Sequence, residues 1–151
     1  MRIAIGADHR GYSLKEKVIR ALREEGIPVT DFGTESEESC DYPDSAFAVA
    51  ESVQKGEHER GVLICASGIG HSIAANKVAG IRAALCLDMK IARLSRQHND
   101  ANVLVLAADF TDHDQAVMMV KEWLSTSFDG GRHQRRIEKI SQFEAESRCR
   151  G

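Results

Sequence analysis

The sequence predicts an α/β fold with a five-stranded parallel sheet, and three observations support this prediction. Short aliphatic runs alternate with amphipathic stretches as far as about residue 126, which is the pattern of βαβ units. The chain has 151 residues, a length that suits one core. Repeats, linkers and low-complexity segments are lacking. We therefore treat residues 1–151 as one domain whose last helix covers about residues 132–147.

The predicted strands are runs of β-branched and aliphatic residues, of the kind that is covered on both faces of a sheet. In open α/β sheets the ligand lies outside the carboxyl ends of the strands. The residues that follow each strand are therefore the first candidates for a functional site. The five strands are predicted at residues 2–7, 28–32, 61–65, 82–87 and 103–107.

Six amphipathic stretches predict helices. The first has Ser13 and Glu16 at capping-box spacing and ends near Gly26. The second begins at Pro43, a favoured first helical position, and is expected to bury Phe47. The other helices are predicted at about residues 70–78 and 89–98, after a cap at 111–114, and after the glycines at 130–131.

Composition argues against several classes of protein. A net charge of −3 opposes non-specific binding to nucleic acid. No apolar run approaches the roughly 18 residues of a membrane span, and residues 1–5 do not resemble a secretory signal. We therefore expect a cytoplasmic protein without nucleic-acid or membrane partners. The four cysteines are widely spaced, which indicates free thiols rather than a zinc site or disulfides.

The segment from Cys65 to Gly70 follows a predicted strand and opens a helix, so its small residues expose a row of backbone N–H groups. Such a loop is an anion or oxyanion cradle. A thiol at the strand end facing a helix N-terminus is a candidate thiolate base, because the helix dipole and nearby imidazoles lower a cysteine pKa. An ordinary buried cysteine is the alternative.

Two histidine motifs are placed next to predicted strands. Asp8-His9 ends the first strand and His98-Asn99 precedes the fifth, so we expect both imidazoles at the same sheet edge as Cys65. Together with the thiol they would form a proton-transfer set. His58 and His113 lie in polar stretches and are expected on the surface.

The last predicted helix begins with a basic cluster. Arg132 and Arg136 are four residues apart, so they project from one face of the helix and could clamp a phosphate. A solvated charged face is the alternative. Arginines at a helix N-terminus are electrostatically unfavourable, which favours a bound anion.

Six motifs in order resemble one family over nearly the whole chain, that of the type B ribose-5-phosphate isomerases, within the group that includes galactose-6-phosphate isomerase subunits. The resemblance implies a three-layer αβα Rossmann-like fold and a metal-free and cofactor-free isomerase. It also implies a homodimer with active sites at the subunit interface, and a tetramer of paired dimers is the alternative. The motifs cover residues 6–9, 41–43, 64–70, 74–77, 95–99 and 131–136.

The resemblance also implies roles for individual residues. Cys65 resembles the base that moves a proton between C1 and C2, and His98 resembles the group that opens the sugar ring. Ser67 and the backbone N–H groups of the loop would stabilise an enediolate oxygen. The loop residues are Ala66, Gly68, Ile69 and Gly70; Asp8, Tyr42 and Asn99 would hold sugar hydroxyls; His9, with Arg132 and Arg136 of a partner subunit, would hold the phosphate.

Two positions depart from the family pattern. Asp109 stands where the family usually has an arginine that helps to bind the phosphate, and His71 stands where one branch has a glutamate base. His71 could tune Cys65 or share its work. The expected reaction is the interconversion of D-ribose 5-phosphate and D-ribulose 5-phosphate. Alternatives are the same chemistry on allose 6-phosphate, galactose 6-phosphate or a four-carbon analogue, or a catalytically silent sugar-phosphate-binding module.

Overall fold

The computed structural model describes residues 1–149, which form five strands and six helices. The predicted strands are all present, within a few residues of their expected bounds. They are β1 (Ile3–Ala7), β2 (Val29–Asp31), β3 (Arg60–Cys65), β4 (Ala83–Leu85) and β5 (Val103–Ala107). The helices are α1 (Tyr12–Glu24), α2 (Tyr42–Gln54), α3 (Ile69–Ala75), α4 (Met89–Asn99), α5 (His113–Ser125) and α6 (Arg132–Cys149).

The strands form one parallel sheet in the order β2-β1-β3-β5-β4. Residues in β1 and β5 are buried throughout, as expected of a sheet that helices cover on both faces. The same expectation is wrong for β2 and β4, which are only three residues long and partly exposed. Both are edge strands, where short length limits the unpaired backbone.

Helices cover the sheet on both faces, so the predicted three-layer Rossmann-like sandwich is confirmed. On one face, α1, α4 and α5 pack against alternate residues of the central strands, with Trp123 fully buried. On the other face, α2 and α3 cover residues of opposite parity, including Leu63 and Val105. Two apolar clusters on opposite faces of the same strands are what the twofold side-chain period of a strand produces.

Two predictions about the helices are wrong. Helix α1 begins at Tyr12, so Ser13 lies inside it and no side chain of the described residues caps it. The chain turns at Gly11, where an added Cβ would lie 2.1 Å from the carbonyl oxygen of Ile64, so close packing sets the start of the helix. Phe47 is 40% exposed rather than buried.

His58, which we expected on the surface, is buried. Its Nε2 atom lies 2.8 Å from Oγ1 of Thr30, and its Nδ1 atom contacts Oγ of Ser52. These two hydroxyls satisfy both ring nitrogens, so His58 joins β2 to the end of α2 and has a structural role.

Helix α6 packs on its own chain, next to α4. The N–H of Asp129 donates to the carbonyl oxygen of Gln97 at 3.0 Å, and the N–H of Gly80 donates to Glu144 at 2.9 Å. These contacts hold the basic start of α6 beside the end of α4. Among the helices of residues 1–149, none combines the length and apolar composition that a bilayer crossing requires.

Candidate active site

Asp8 organises the turn that follows β1. It is 7% exposed, and its Oδ1 atom accepts the N–H groups of Arg10 at 2.9 Å and Gly11 at 3.0 Å. The N–H of Asp8 itself donates to the carbonyl oxygen of Ile64 in β3. Asp8 therefore lies at the carboxyl end of the two central strands, with one carboxylate oxygen fixed by backbone donors.

The loop after β3 is bound to the end of β5. The N–H of Ala108 donates to the carbonyl oxygen of Cys65 at 2.8 Å, and the N–H of Asp109 donates to that of Ala66 at 3.0 Å. Gly68 then adopts a left-handed conformation with φ of 75°, which turns the chain into α3. The Ser67 hydroxyl accepts the N–H of Ile69 at 3.3 Å. The predicted cradle is thus a short ordered loop that opens a helix.

The pKa of Cys65 differs from the expectation of an activated thiolate. Burial raises the pKa of the Cys65 thiol, and this effect exceeds the opposing influence of backbone N–H groups of His71, Gly68 and Ser67. The negative charge of Asp8 raises it further. The thiol is therefore protonated at neutral pH in the free protein, and the thiolate, once formed, is a stronger base than an ordinary one.

His71 lies below this loop with no exposed surface. Its Nε2 atom is 3.1 Å from Oγ of Ser45, whose hydroxyl donates to the carbonyl oxygen of Tyr42. Because the Ser45 hydroxyl proton is donated to Tyr42, Ser45 acts as the acceptor for His71. Nε2 of His71 therefore carries the ring proton, and Nδ1 carries the lone pair. Nδ1 has no hydrogen-bond partner among residues 1–149. Burial lowers the pKa of His71 to about 4, so the ring is neutral at pH 7 and a weak base.

Tyr42 is placed over the loop by a close approach to Gly70. A Cβ atom added to Gly70 would lie 2.7 Å from atoms of the Tyr42 ring. The ring also meets His71 edge-on, with centroids 6.0 Å apart. Tyr42 is 41% exposed, so its hydroxyl lies where a ligand above the loop can reach it.

His9 follows Asp8 and is held by the loop that precedes α2. Its Nδ1 atom accepts the backbone N–H of Cys40 at 3.3 Å. An imidazole that accepts at Nδ1 carries its proton at Nε2. His9 therefore offers a donor for an anionic ligand, as its predicted phosphate role requires.

The expectation that His98 lies at the same sheet edge as Cys65 is wrong. Helix α4 starts at the carboxyl edge, after β4, and must return the chain to the amino edge so that the parallel strand β5 can begin. Cys65 lies opposite Ala107 at the far end of β5, and Gly61 lies opposite Val103. Four residues of strand, roughly 13 Å, therefore separate the two edges.

At the amino edge, the end of α4 and the start of α6 form a second cluster, the amino-edge cluster. The rings of His98 and His133 stack with centroids 4.2 Å apart and planes 8° apart. Burial lowers the pKa of His133, and the charges of His98, Arg132 and Arg136 lower it further. The cluster consists of His98, Asn99, Arg132, His133 and Arg136.

Two histidines of the amino-edge cluster lie close to the neighbouring Asp129, and together they form a set of three groups of metal-ligand type. One ligand atom from each of His98, Asp129 and His133 lies within 4.8 Å of the others. The positive charges of Arg132 and Arg136 act on the His133 imidazole. These charges oppose the binding of a divalent cation at this set and favour the binding of an anion.

Sequence reasoning gave His133 no role of its own within the basic cluster, and it missed Arg10. Nη2 of Arg10 lies 2.6 Å from Oδ2 of Asp109, which accounts for the carboxylate that departs from the family pattern. The predicted site residues thus separate into two groups. The carboxyl-edge cluster consists of Asp8, His9, Tyr42, Cys65, Ala66, Ser67, Gly68, Ile69, Gly70, His71 and Asp109, and the remaining residues lie in the amino-edge cluster.

Comparisons with known proteins identify the family of this chain. The family model described as Ribose/Galactose Isomerase matches residues 3–140. Ribose-5-phosphate isomerase B of Escherichia coli K12 is 48% identical over 143 residues, covering 95% of this chain and 96% of that protein. A probable ribose-5-phosphate isomerase B of Mycoplasma pneumoniae is 45% identical, with 95% of each chain covered.

Solved structures are equally similar. Ribose-5-phosphate isomerase B of Clostridium thermocellum superposes with a TM-score of 0.96 at 50% identity, covering 97% of this chain and 99% of that one. The enzyme of Mycoplasma genitalium with bound ribulose-5-phosphate superposes with a TM-score of 0.93 at 43% identity, covering 96% and 97%. The chain belongs to the ribose/galactose isomerase family.

Proposed function

We propose that this protein interconverts D-ribose 5-phosphate and D-ribulose 5-phosphate in the cytoplasm, without metal or other cofactor. The proposal is supported by the relatives, which carry the name ribose-5-phosphate isomerase B, and by the relative that holds ribulose-5-phosphate. The separation of Cys65 and His98 to opposite edges of one sheet is the observation that supports our proposal for how the site is assembled.

The reaction needs a base close to C2 and fixed donors around the oxygen at C1, because removing a proton beside a carbonyl produces an enediolate. In the proposed mechanism, Cys65 as a thiolate takes the C2 proton and returns it to C1, while the hydroxyl proton on the C2 oxygen passes to the C1 oxygen. The hydroxyl of Ser67 and backbone N–H groups of the loop from Ala66 to Gly70 stabilise the developing negative charge. The raised pKa of Cys65 makes its thiolate a stronger base for a weakly acidic C–H bond.

The neutral His71 supports this assignment rather than competing for it. An imidazole with a pKa of about 4 is a poor acceptor for a carbon-bound proton at neutral pH. Its bond to Ser45 fixes the ring beneath Tyr42. We therefore assign His71 to supporting the loop and assign the base to Cys65.

Most of the sugar is a closed ring, so a further group must move a proton between the ring oxygen and a hydroxyl. An imidazole suits this step because it both accepts and donates protons near neutral pH. His98 is our candidate, with Asn99 beside it to hold a hydroxyl. Asp8 and Tyr42 would hold the other hydroxyls from the carboxyl-edge cluster.

We propose that a complete site forms between two subunits. A twofold dimer that places the amino-edge cluster of one chain against the carboxyl-edge cluster of the other forms two identical sites. His9 would then bind the substrate phosphate together with the partner subunit's Arg132 and the partner subunit's Arg136. Helix α6 carries the arginines, which is how we expect the C-terminal helix to reach the partner.

Exposed apolar residues support such an interface. Ile69 and Ile73 on α3 and Ile140 and Phe143 on α6 are all more than half exposed. Large apolar side chains of this kind are enriched in homodimer interfaces. Two lie beside the thiol loop and two lie on the helix that carries the basic cluster, as the proposed contact requires.

Deuterium incorporation tests the proposed reaction. The purified protein is incubated with D-ribose 5-phosphate in deuterated buffer, and proton NMR follows both ribulose 5-phosphate and the hydrogen at C2. We expect product and exchange with wild type, and a loss of about 10²- to 10⁴-fold in Cys65→Ala. A silent binding module would leave the C2 hydrogen in place.

A parallel panel of four-, five- and six-carbon phosphates compares kcat/KM between substrates. Ribose 5-phosphate should give the highest value. A higher kcat/KM for allose 6-phosphate, galactose 6-phosphate or a four-carbon phosphate would mean that the proposed reaction type is right and the proposed substrate is wrong.

A further inference from the structure

The salt bridge between Arg10 and Asp109 joins the turn after β1 to the turn after β5 at the carboxyl edge of the sheet. Arg10 follows β1 and Asp109 follows β5, and the two residues are 99 positions apart in the chain. Strands β1 and β5 flank β3, which ends at Cys65. The ion pair therefore spans the end of the strand that carries the thiol.

Both residues are attached to the site through their backbones. The N–H of Arg10 donates to Oδ1 of Asp8 at 2.9 Å, and the N–H of Asp109 donates to the carbonyl oxygen of Ala66 at 3.0 Å. The side chain of Arg10 is 58% exposed and that of Asp109 is 37% exposed. Ion pairs with this exposure contribute little to stability, so folding alone does not explain the pair.

The charges suggest a role in binding. An unpaired carboxylate at this edge would repel an anionic substrate. Arg10 neutralises Asp109 with one N–H group, and a guanidinium has five. Within residues 1–149, Asp109 is the side-chain partner of Arg10, so the other N–H groups stay available to a second oxyanion. His9, which presents a donor at Nε2, is the preceding residue.

We propose that Arg10 binds the substrate phosphate and that Asp109 is the residue that positions its guanidinium. A planar guanidinium held along one side by a carboxylate presents its other side to phosphate oxygens in a fixed direction. The identity of the substrate rests on the proposed function. The binding of a phosphate group by Arg10 does not require turnover and is measured separately.

The test compares wild type with Arg10→Gln, Arg10→Lys, Asp109→Asn and the double variant Arg10→Gln/Asp109→Asn. Arg93→Gln is the control, because Arg93 and Glu122 form an ion pair of similar exposure at 2.7 Å outside both clusters. Calorimetry gives the Kd for inorganic phosphate, and kinetics gives KM and kcat for ribose 5-phosphate. Thermal unfolding confirms that each variant is folded.

We expect Arg10→Gln to raise the Kd for phosphate and the KM by about tenfold, with kcat changed less than about twofold. Arg10→Lys should recover part of this loss because it keeps the charge. Asp109→Asn should weaken binding by about two- to threefold, with no additional loss in the double variant, because Asp109 acts through Arg10. Arg93→Gln should match wild type.

Two results would overturn the inference: unchanged phosphate binding in Arg10→Gln, or tighter binding in Asp109→Asn, which would mean that Asp109 holds Arg10 away from the anion. The proposed function fails in a different way. If wild type does not isomerise ribose 5-phosphate and phosphate binding still depends on Arg10, the reaction is wrong and this inference stands.

Discussion

The imidazoles of His98 and His133 stack at 4.2 Å at the edge of the sheet opposite the thiol of Cys65. Each cluster therefore contains only part of what an aldose-ketose isomerase requires. The carboxyl-edge cluster has the proposed base and the proposed donors for an enediolate. The amino-edge cluster has the group proposed to open the ring and two arginines.

The raised pKa of Cys65 predicts slow alkylation in the free protein. Between about pH 7 and pH 9 most of the thiol is protonated, so iodoacetamide should modify Cys65 far more slowly than the exposed Cys149. The rate at Cys65 should rise as the pH passes above 9, and kcat/KM should rise with it. Peptide mass spectrometry measures each cysteine separately. Rapid modification of Cys65 at pH 7 would show an activated thiolate instead.

His71 predicts a loss of stability in acid. In the unfolded chain a histidine gains its proton near pH 6.5, whereas the folded protein keeps His71 neutral until about pH 4. Between these values the unfolded state binds more protons, so the free energy of unfolding falls as the pH is lowered. The part of the free energy of unfolding that depends on a neutral His71 is fully present above pH 6.5. About 2 to 3 kcal/mol of it is lost by pH 4.

Urea unfolding of wild type and His71→Gln at several pH values measures this contribution. The variant should lose less stability than wild type between about pH 6.5 and pH 4, whatever its stability at neutral pH. If the free energy of unfolding falls equally with pH in the two proteins, His71 gains its proton as easily in the folded protein as in the unfolded chain.

His133 should report on anion binding at the amino-edge cluster. Its pKa is lowered by burial and by the positive charges of His98, Arg132 and Arg136. A phosphate bound to the arginines brings negative charge, so inorganic phosphate should raise the midpoint that NMR measures for His133. The double variant Arg132→Gln/Arg136→Gln should have a higher His133 midpoint than wild type in the absence of phosphate. Added phosphate should no longer change the midpoint of this variant. If phosphate does not change the wild-type midpoint, the anion does not bind at the amino-edge cluster.

The approach of Tyr42 to Gly70 predicts a change in binding rather than in stability. A Cβ atom in Gly70→Ala would lie 2.7 Å from the ring, but the half-exposed ring can move aside. We expect a loss of less than about 1 kcal/mol in the free energy of unfolding. KM should rise as much as in Tyr42→Ala, and the double variant should be no worse than either single variant. Additive effects would indicate that the two residues act independently.

Much of the fold follows from local patterns in the sequence. The buried strands β1, β3 and β5 are aliphatic runs, so their periodicity and flanking residues indicate both their existence and their parallel arrangement. The start of α1 could not be predicted from Ser13 because it depends on contact between Gly11 and Ile64, which are distant in sequence. Likewise, the burial of His58 depends on Thr30 and Ser52, which the fold brings to it.

The candidate site was only half predictable from the sequence. Residues at the carboxyl ends of strands, such as Asp8 and Cys65, lie at the carboxyl edge as expected. His98 precedes a strand, and the connection rule for parallel strands places such a residue at the amino edge, which is the signal that should have separated it from Cys65. The pairing of Arg10 with Asp109 carries no local signal, because it joins two loops through their side chains alone.

Subunit complementation tests the division of the site between two chains most directly. Cys65→Ala and His98→Asn proteins are each expected to be inactive, and they are mixed under conditions that exchange subunits. In a hybrid dimer, one site combines both defects and the other combines both intact clusters. Random exchange makes half of the dimers hybrids, so about a quarter of wild-type activity should return.

The matched control mixes Cys65→Ala with Ser67→Ala, whose defects lie in the same cluster, so every site of their hybrids keeps one defect. The activity of this mixture should not exceed that of its parents. Recovery in the first mixture and none in the second is the result that we predict. No recovery in the first mixture, with hybrid dimers demonstrated by native mass spectrometry, would contradict the account and place Cys65 and His98 in separate functions.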